Sequence, residues 1–166
     1  MEKRENSLKK LLDGLEKNEL VEIILELSKI SARNSEFLNI YLRSSDELDI
    51  EQIISNAKAS IYRFIYGSPK TGRNCLKLRE AKKVISDNSK ILKEHPIYIA
   101  DLKLNYVETC NDFTNDFGDI SEQFYDSAIR AFVDFARFIR KNPTLYNSFK
   151  ERLDRLYINS KGIGWG

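Results

Sequence analysis

Turn-forming and cross-linking residues are scarce in this chain, with three prolines, seven glycines and two cysteines among 166 residues. So few backbone breakers leave little room for the closely spaced turns of an all-β fold. Two cysteines, Cys75 and Cys110, cannot build a disulfide framework; among many lysines and with no secretory signal they read as free thiols in a reducing cytoplasm. One histidine, His95, and those two distant cysteines fall short of the close nitrogen and sulfur ligands that zinc requires. No apolar run approaches the ~20 residues of a membrane span, so no membrane partner is expected. The stretch MEKRENSLKKLLDGLEKNEL lacks the apolar core and cleavage site of a signal peptide, and the expected location is cytoplasmic. An excess of charge of one sign is missing as well. The 27 basic and 25 acidic residues leave a net +2, too small to argue for nucleic acid on global electrostatics.

What is abundant is charge interleaved with apolar residues at helical spacing. Charged residues make up 31% of the chain, against roughly 25% in an ordinary soluble domain. Ser7 is placed to cap a short helix carrying Leu8, Leu11, Leu12 and Leu15. Leu20, Ile23, Ile24, Leu27 and Ile30 stripe a second helix, with Glu22 and Glu26 on its wet side. Ser35 begins a third with Phe37, Leu38, Tyr41 and Leu42. Asp49 and Gln52 fit a capping box for a helix that Gly67 closes, and Ser68-Pro69-Lys70-Thr71-Gly72 is the clearest loop. A basic helix over 76–92 follows, and then one from Pro96 to Gly118.

Asp119 and Glu122 fit a further capping box, opening an aromatic-rich helix to Arg140 that is apolar nearly all round and therefore reads as the central, buried one. Leu145, Phe149, Leu153 and Leu156 carry the last. The expectation is an all-α fold of seven to eight helices in antiparallel hairpins, as a bundle or a short α-solenoid, forming a single helical domain over 1–166. No strict repeat period supports the solenoid version.

No catalytic constellation stands out. His95 sits at a helix boundary before a proline, where a general base would still need a nucleophile or bound substrate beside it. Phosphate-loop and dinucleotide glycine patterns are absent, and no cofactor is expected. Two charged stretches contrast. From Lys70 to Lys83, the six bases Lys70, Arg73, Lys77, Arg79, Lys82 and Lys83 face one acid, Glu80. From Asp112 to Asp126 lie Asp112, Asp116, Asp119, Glu122 and Asp126 with no base. They either pair with each other across a helix interface or form separate surfaces.

As a separate surface, Lys70, Arg73, Lys77 and Arg79 are the candidate anion contact. The segment lacks the aromatics that single-strand binding surfaces interleave with charge, so nucleic acid is not the expected partner. Asp112, Asp116, Asp119 and Glu122 are the candidate acidic surface. Their oxygens suit a hard cation, but Asp119 and Glu122 already suit a helix start, and no metal is expected. The end of the chain is a third feature. Residues 161–166 form a Gly/Trp tail that holds three of the seven glycines and the single tryptophan, Trp165. Trp165 either folds into a groove between helices, with glycines permitting close approach, or anchors another chain.

Several stretches together resemble a known family. LVEIILELSK, SPK before KLREAKKVI, YVETCNDFTNDFGDISEQFYDS and the terminal GIGWG are similar to a family of small uncharacterised bacterial all-helical proteins, over about 8–166. The first helix pair is also similar to HEAT-type repeats. The resemblance implies an all-α domain and no transferable catalytic residues. The resulting expectation is a non-enzymatic interaction or scaffold module whose partner is another protein; the alternative is a module binding an anionic ligand or nucleic acid through residues 70–83.

Overall fold

Glutamate, lysine and leucine, all strong helix formers, dominate the first 45 residues. In the computed structural model of the chain they fold into α1 (Glu2–Leu12), α2 (Lys17–Ile30) and α3 (Ala32–Arg43). The structure describes residues 2–43, 47–67, 76–118 and 120–162. The chain divides into two compact units, Met1–Ser45 and Asp46–Gly166.

In the first unit Ser7 is not a cap, because α1 begins at Glu2, well before the leucine stripe that starts at Leu8. Glu16 caps α2 through a reciprocal box in which its backbone N–H donates to Glu19 Oε2 at 2.8 Å. Extended backbone at Ser31 ends α2. The Ser31 hydroxyl then accepts from the Asn34 N–H at 3.1 Å, so Ser31 rather than Ser35 starts α3. α2 packs on α3, and Asn34 Nδ2 ties them by donating to the Leu27 carbonyl at 2.8 Å.

The second unit contains α4 (Glu47–Tyr66), α5 (Leu78–Ile91), α6 (Pro96–Phe117), α7 (Glu122–Lys141), a 3-10 turn at Pro143–Leu145 and α8 (Tyr146–Asn159). Among the described residues there are thus eight α-helices and no strand, an all-α fold. Asp49 does not open α4, which starts at Glu47, and Gln52 instead donates to Asn56 Oδ1. Gly67 and Gly118 close α4 and α6 at positive φ, 86° and 76°, a region costly for residues with a Cβ. Pro96 opens α6, where its missing N–H goes unused.

The central helix is α6, not the aromatic-rich α7. α6 packs against α4, α5, α7 and α8 and buries eleven of its 22 residues. Ile99, Leu102, Tyr106, Cys110 and Phe113 line one side against α4, α5 and the start of α7. Ala100, Leu104 and Val107 line another against Phe135, Ile139, Phe149 and Leu156 of α7 and α8. One helix touching four others is bundle geometry, since solenoid repeats contact only their neighbours.

α7 buries Phe124, Ala128, Phe135 and Ile139 but leaves Ile129, Phe132 and Val133 exposed on its outer flank. Its cap is Ser121, whose hydroxyl accepts from the Phe124 N–H at 3.3 Å, and not Asp119. A charge network ties α4, α6 and α8 together. The Arg152 guanidinium donates to both Glu108 carboxylate oxygens (2.8 and 2.6 Å) and to Asp101, which also meets Lys58 at 2.7 Å.

Candidate functional site

α5 buries Ala81, Ile85, Asn88 and Ile91. That register turns Lys82, Ser86, Ser89 and Lys90, spaced by one and two turns, along its flank. α6 adds Ile99 and Lys103 one turn apart, and α7 adds Ala131, Asp134 and Phe138. Together with Ile85, these residues line one cavity of about 490 Å³. The site is a groove between α5 and α7 with α6 as its floor, apolar below and lysine-rimmed above.

Two of the three lysines have no acid partner among the described residues. Lys90 meets Asp87 at 3.7 Å, and Asp134 meets Arg137 at 3.4 Å. The Lys82 ammonium lies 5.7 Å from the centre of the Tyr106 ring, and Lys103 lies 5.8 Å from that of Phe138. Both are held by their stems and by ring faces rather than by carboxylates. Burial, reinforced by nearby Arg130, pulls Lys82 below the ordinary lysine range, while Cys110 and Asp134 oppose this. An anion in the groove would therefore meet, at Lys82, a cation that is already partly dehydrated.

Behind Lys82, the Tyr106 hydroxyl and the Ser127 hydroxyl share a 2.8 Å hydrogen bond. Cys110 is fully buried there, and burial pushes its thiol up to about 12. A thiol held protonated in this way is a packing group and not a nucleophile at neutral pH. His95 stands at the N-terminal cap of α6, its ring 6.3 Å from that of Tyr98.

The predicted basic surface does not come together as expected. Lys77 and Arg79 are exposed at the start of α5, where the Lys77 N–H donates to the Phe64 carbonyl at 2.7 Å. Lys70 and Arg73 lie outside the described residues, as do the SPKTG loop and Cys75. Lys82, from the same run of sequence, lines the groove, whereas neither Lys77 nor Arg79 is among its lining residues. On the acidic side Asp112 and Asp116 are exposed on α6, and Asp116 accepts from the Tyr66 hydroxyl at 2.7 Å. Desolvation, then Glu108 and Asp116, raise the Asp112 carboxyl above its ordinary range. Glu122 is the first residue of α7, and Asp119 lies outside the described residues.

No ion pair links the acidic and basic stretches among the described residues, and no group of three or more His, Cys, Asp or Glu side chains there is placed to hold a metal. Trp165 and residues 163–166 also lie outside the description. Lys90, Lys103, Ser86 and Phe138 were not singled out from the sequence. Their only common signal is helical register, which does not reveal that three separate helices converge.

The first unit presents a different surface. None of its described side chains is buried. On α2, Val21, Ile23, Ile24, Leu25, Leu27 and Ile30 are all exposed, from 39% at Ile23 to 73% at Ile30. Leu8 and Leu11 of α1 and Phe37, Tyr41 and Leu42 of α3 are exposed as well. Comparisons with protein-family models, curated proteins and solved structures found no match for this chain.

Proposed function

We propose that the protein is a non-enzymatic helical scaffold that pairs with a second copy of itself through α1–α3. The observation that carries this reading is α2, which exposes six large aliphatic side chains and buries none. Helices this short are marginal alone in water, and a 45-residue unit in which no described side chain is buried lacks the burial that offsets chain entropy. Covering the face supplies that burial, at about 25 cal/mol per Å² of apolar surface.

Charge favours a copy as the occupant. Residues 1–45 hold eight acids and eight bases, so two such units meet without net repulsion. The signs are also segregated. α1 carries four bases against two acids, whereas residues 13–30 carry five acids, including Glu19, Glu22 and Glu26, against two bases. A two-fold pairing can set the α1 of each copy beside the acidic ridge of the other, satisfying both at once.

Sedimentation velocity over a range of protein concentrations tests this. The expected result is a reversible dimer at tens of micromolar, converted to monomer by Leu25→Lys with Ile30→Lys. A monomer at every concentration would overturn the reading.

A further inference from the structure

The groove between α5 and α7 is chemically unlike the pairing face. It is a concave site in the folded body, and nothing in the scaffold reading uses it. Its cavity of about 490 Å³ falls within the range of roughly 300–1,000 Å³ typical of small-molecule sites. Its charge selects the ligand class. The lining carries Lys82, Lys90 and Lys103 against Asp134, an excess of two positive charges. Neither Lys82 nor Lys103 forms an ion pair among the described residues, although Asp134 favours the charged form of Lys82. A carboxylate would neutralise one of them. A phosphomonoester, with a charge of about −1.5 to −2 at neutral pH, neutralises both.

Lysine is a point-charge phosphate binder with three rotatable donors. The Ser86 hydroxyl, which has no partner among the described residues, adds a neutral donor at the rim. The floor of Ile85, Ile99, Ala131 and Phe138 is apolar; bare phosphate leaves it wet, and a ligand with an apolar or aromatic body covers it.

We infer that this groove binds a small organic phosphomonoester, with its phosphate held between Lys82 and Lys103 and its apolar body seated on Ile85, Ile99, Ala131 and Phe138. The occupant is a single small molecule because a groove of about 490 Å³ between three helices is sized for one. A polyanion would instead follow the open surface of Lys77 and Arg79. The assignment is of binding alone and involves no covalent step.

Calorimetric titration of the full chain with phenyl phosphate tests the assignment, with inorganic phosphate and a single-stranded oligonucleotide as comparison ligands. Saturable 1:1 binding of phenyl phosphate is expected, with inorganic phosphate about tenfold weaker for want of the apolar body. Lys82→Met and Lys103→Met, which keep the aliphatic stem, should each weaken it about tenfold or more. Ser86→Leu should block it sterically without changing charge. Lys77→Met should leave it unchanged, and so should Leu25→Lys, which separates this site from the pairing surface. Absence of saturable binding would overturn the proposal. So would equal loss in Lys77→Met and Lys82→Met, or tighter binding of the oligonucleotide than of phenyl phosphate, since either marks a surface polyanion contact.

Discussion

α2 and α6 are built from similar material and meet opposite fates. Both are amphipathic helices, and α2 is at least as apolar, residue for residue, as α6. Yet α6 buries eleven residues against four neighbouring helices and α2 buries none. What differs is the number of partners within reach. α6 lies inside a unit of five helices and can use two sides at once, whereas α2, among the described residues, packs chiefly on α3. Amphipathicity therefore specifies a face that must be covered and says nothing about what covers it. In the body that face is covered by neighbouring helices, and in the N-terminal unit the described residues of α2 leave it exposed.

Substitutions in the two units should diverge accordingly. The largest effect belongs to the centre of the body. Phe113, 1% exposed, packs against Tyr66, Phe117 and Phe124 with ring centres 4.6–5.7 Å apart. Phe113→Ala should cost about 3–5 kcal/mol through lost burial and the remaining cavity, read from urea unfolding of the body. Arg152→Ala comes next, leaving Glu108 and Asp101 facing each other without their shared cation. About 2 kcal/mol is expected, less than for a wholly buried pair because the Arg152 side chain remains 24% exposed. Unchanged stability would mean that the network orients helices without stabilising them.

Alkaline pH probes the same core. Burial pushes the Cys110 thiol up to about 12 and raises the Tyr106 phenol above its ordinary range. The folded state thus keeps these protons after the unfolded chain has lost them. Stability should be undiminished below about pH 8.5 and fall progressively above it, where an unfolded thiol ionises, and further above about 10 for the phenol. In a Cys75→Ser background, Cys110 should resist alkylation at pH 8 until the body unfolds, and rapid labelling of the native protein would contradict its burial. The smallest effect is expected from Leu25→Ala, which should change the stability of the dilute body by no more than about 0.5 kcal/mol while weakening dimerisation.

Helix content was legible in the sequence because the 3.6-residue stripe, Pro96 and the closing Gly67 and Gly118 all act locally. Caps were less legible. Asp49 and Asp119 satisfied the capping pattern, but good helix formers carried α4 upstream of the first, and Ser121 captured the start of α7 in place of the second. The identity of the central helix was hidden by chemistry. α6 buries Thr109 and Thr114, whose hydroxyls donate to the carbonyls of Asn105 and Cys110 one turn back (2.7 and 3.0 Å). Polar residues satisfied in this way pack as if apolar, so α6 looks wetter in sequence than it is. α7 reads as central because its apolar arc is wide, but Ile129, Phe132 and Val133 continue that arc past the last contact. The groove was illegible for a different reason. Lys82 was visible within a basic run, but its convergence with Lys103 and Phe138 depends on tertiary packing.

The pairing of α1–α3 is tested most directly by hydrogen exchange on the full chain at two protein concentrations, reading amides of residues 17–30 against those of 96–117. Protection over 96–117 should be high and independent of concentration, while protection over 17–30 should be weak in dilute protein and rise as concentration increases. Strong protection over 17–30 in dilute monomer, or weak protection that concentration does not change, would contradict the account.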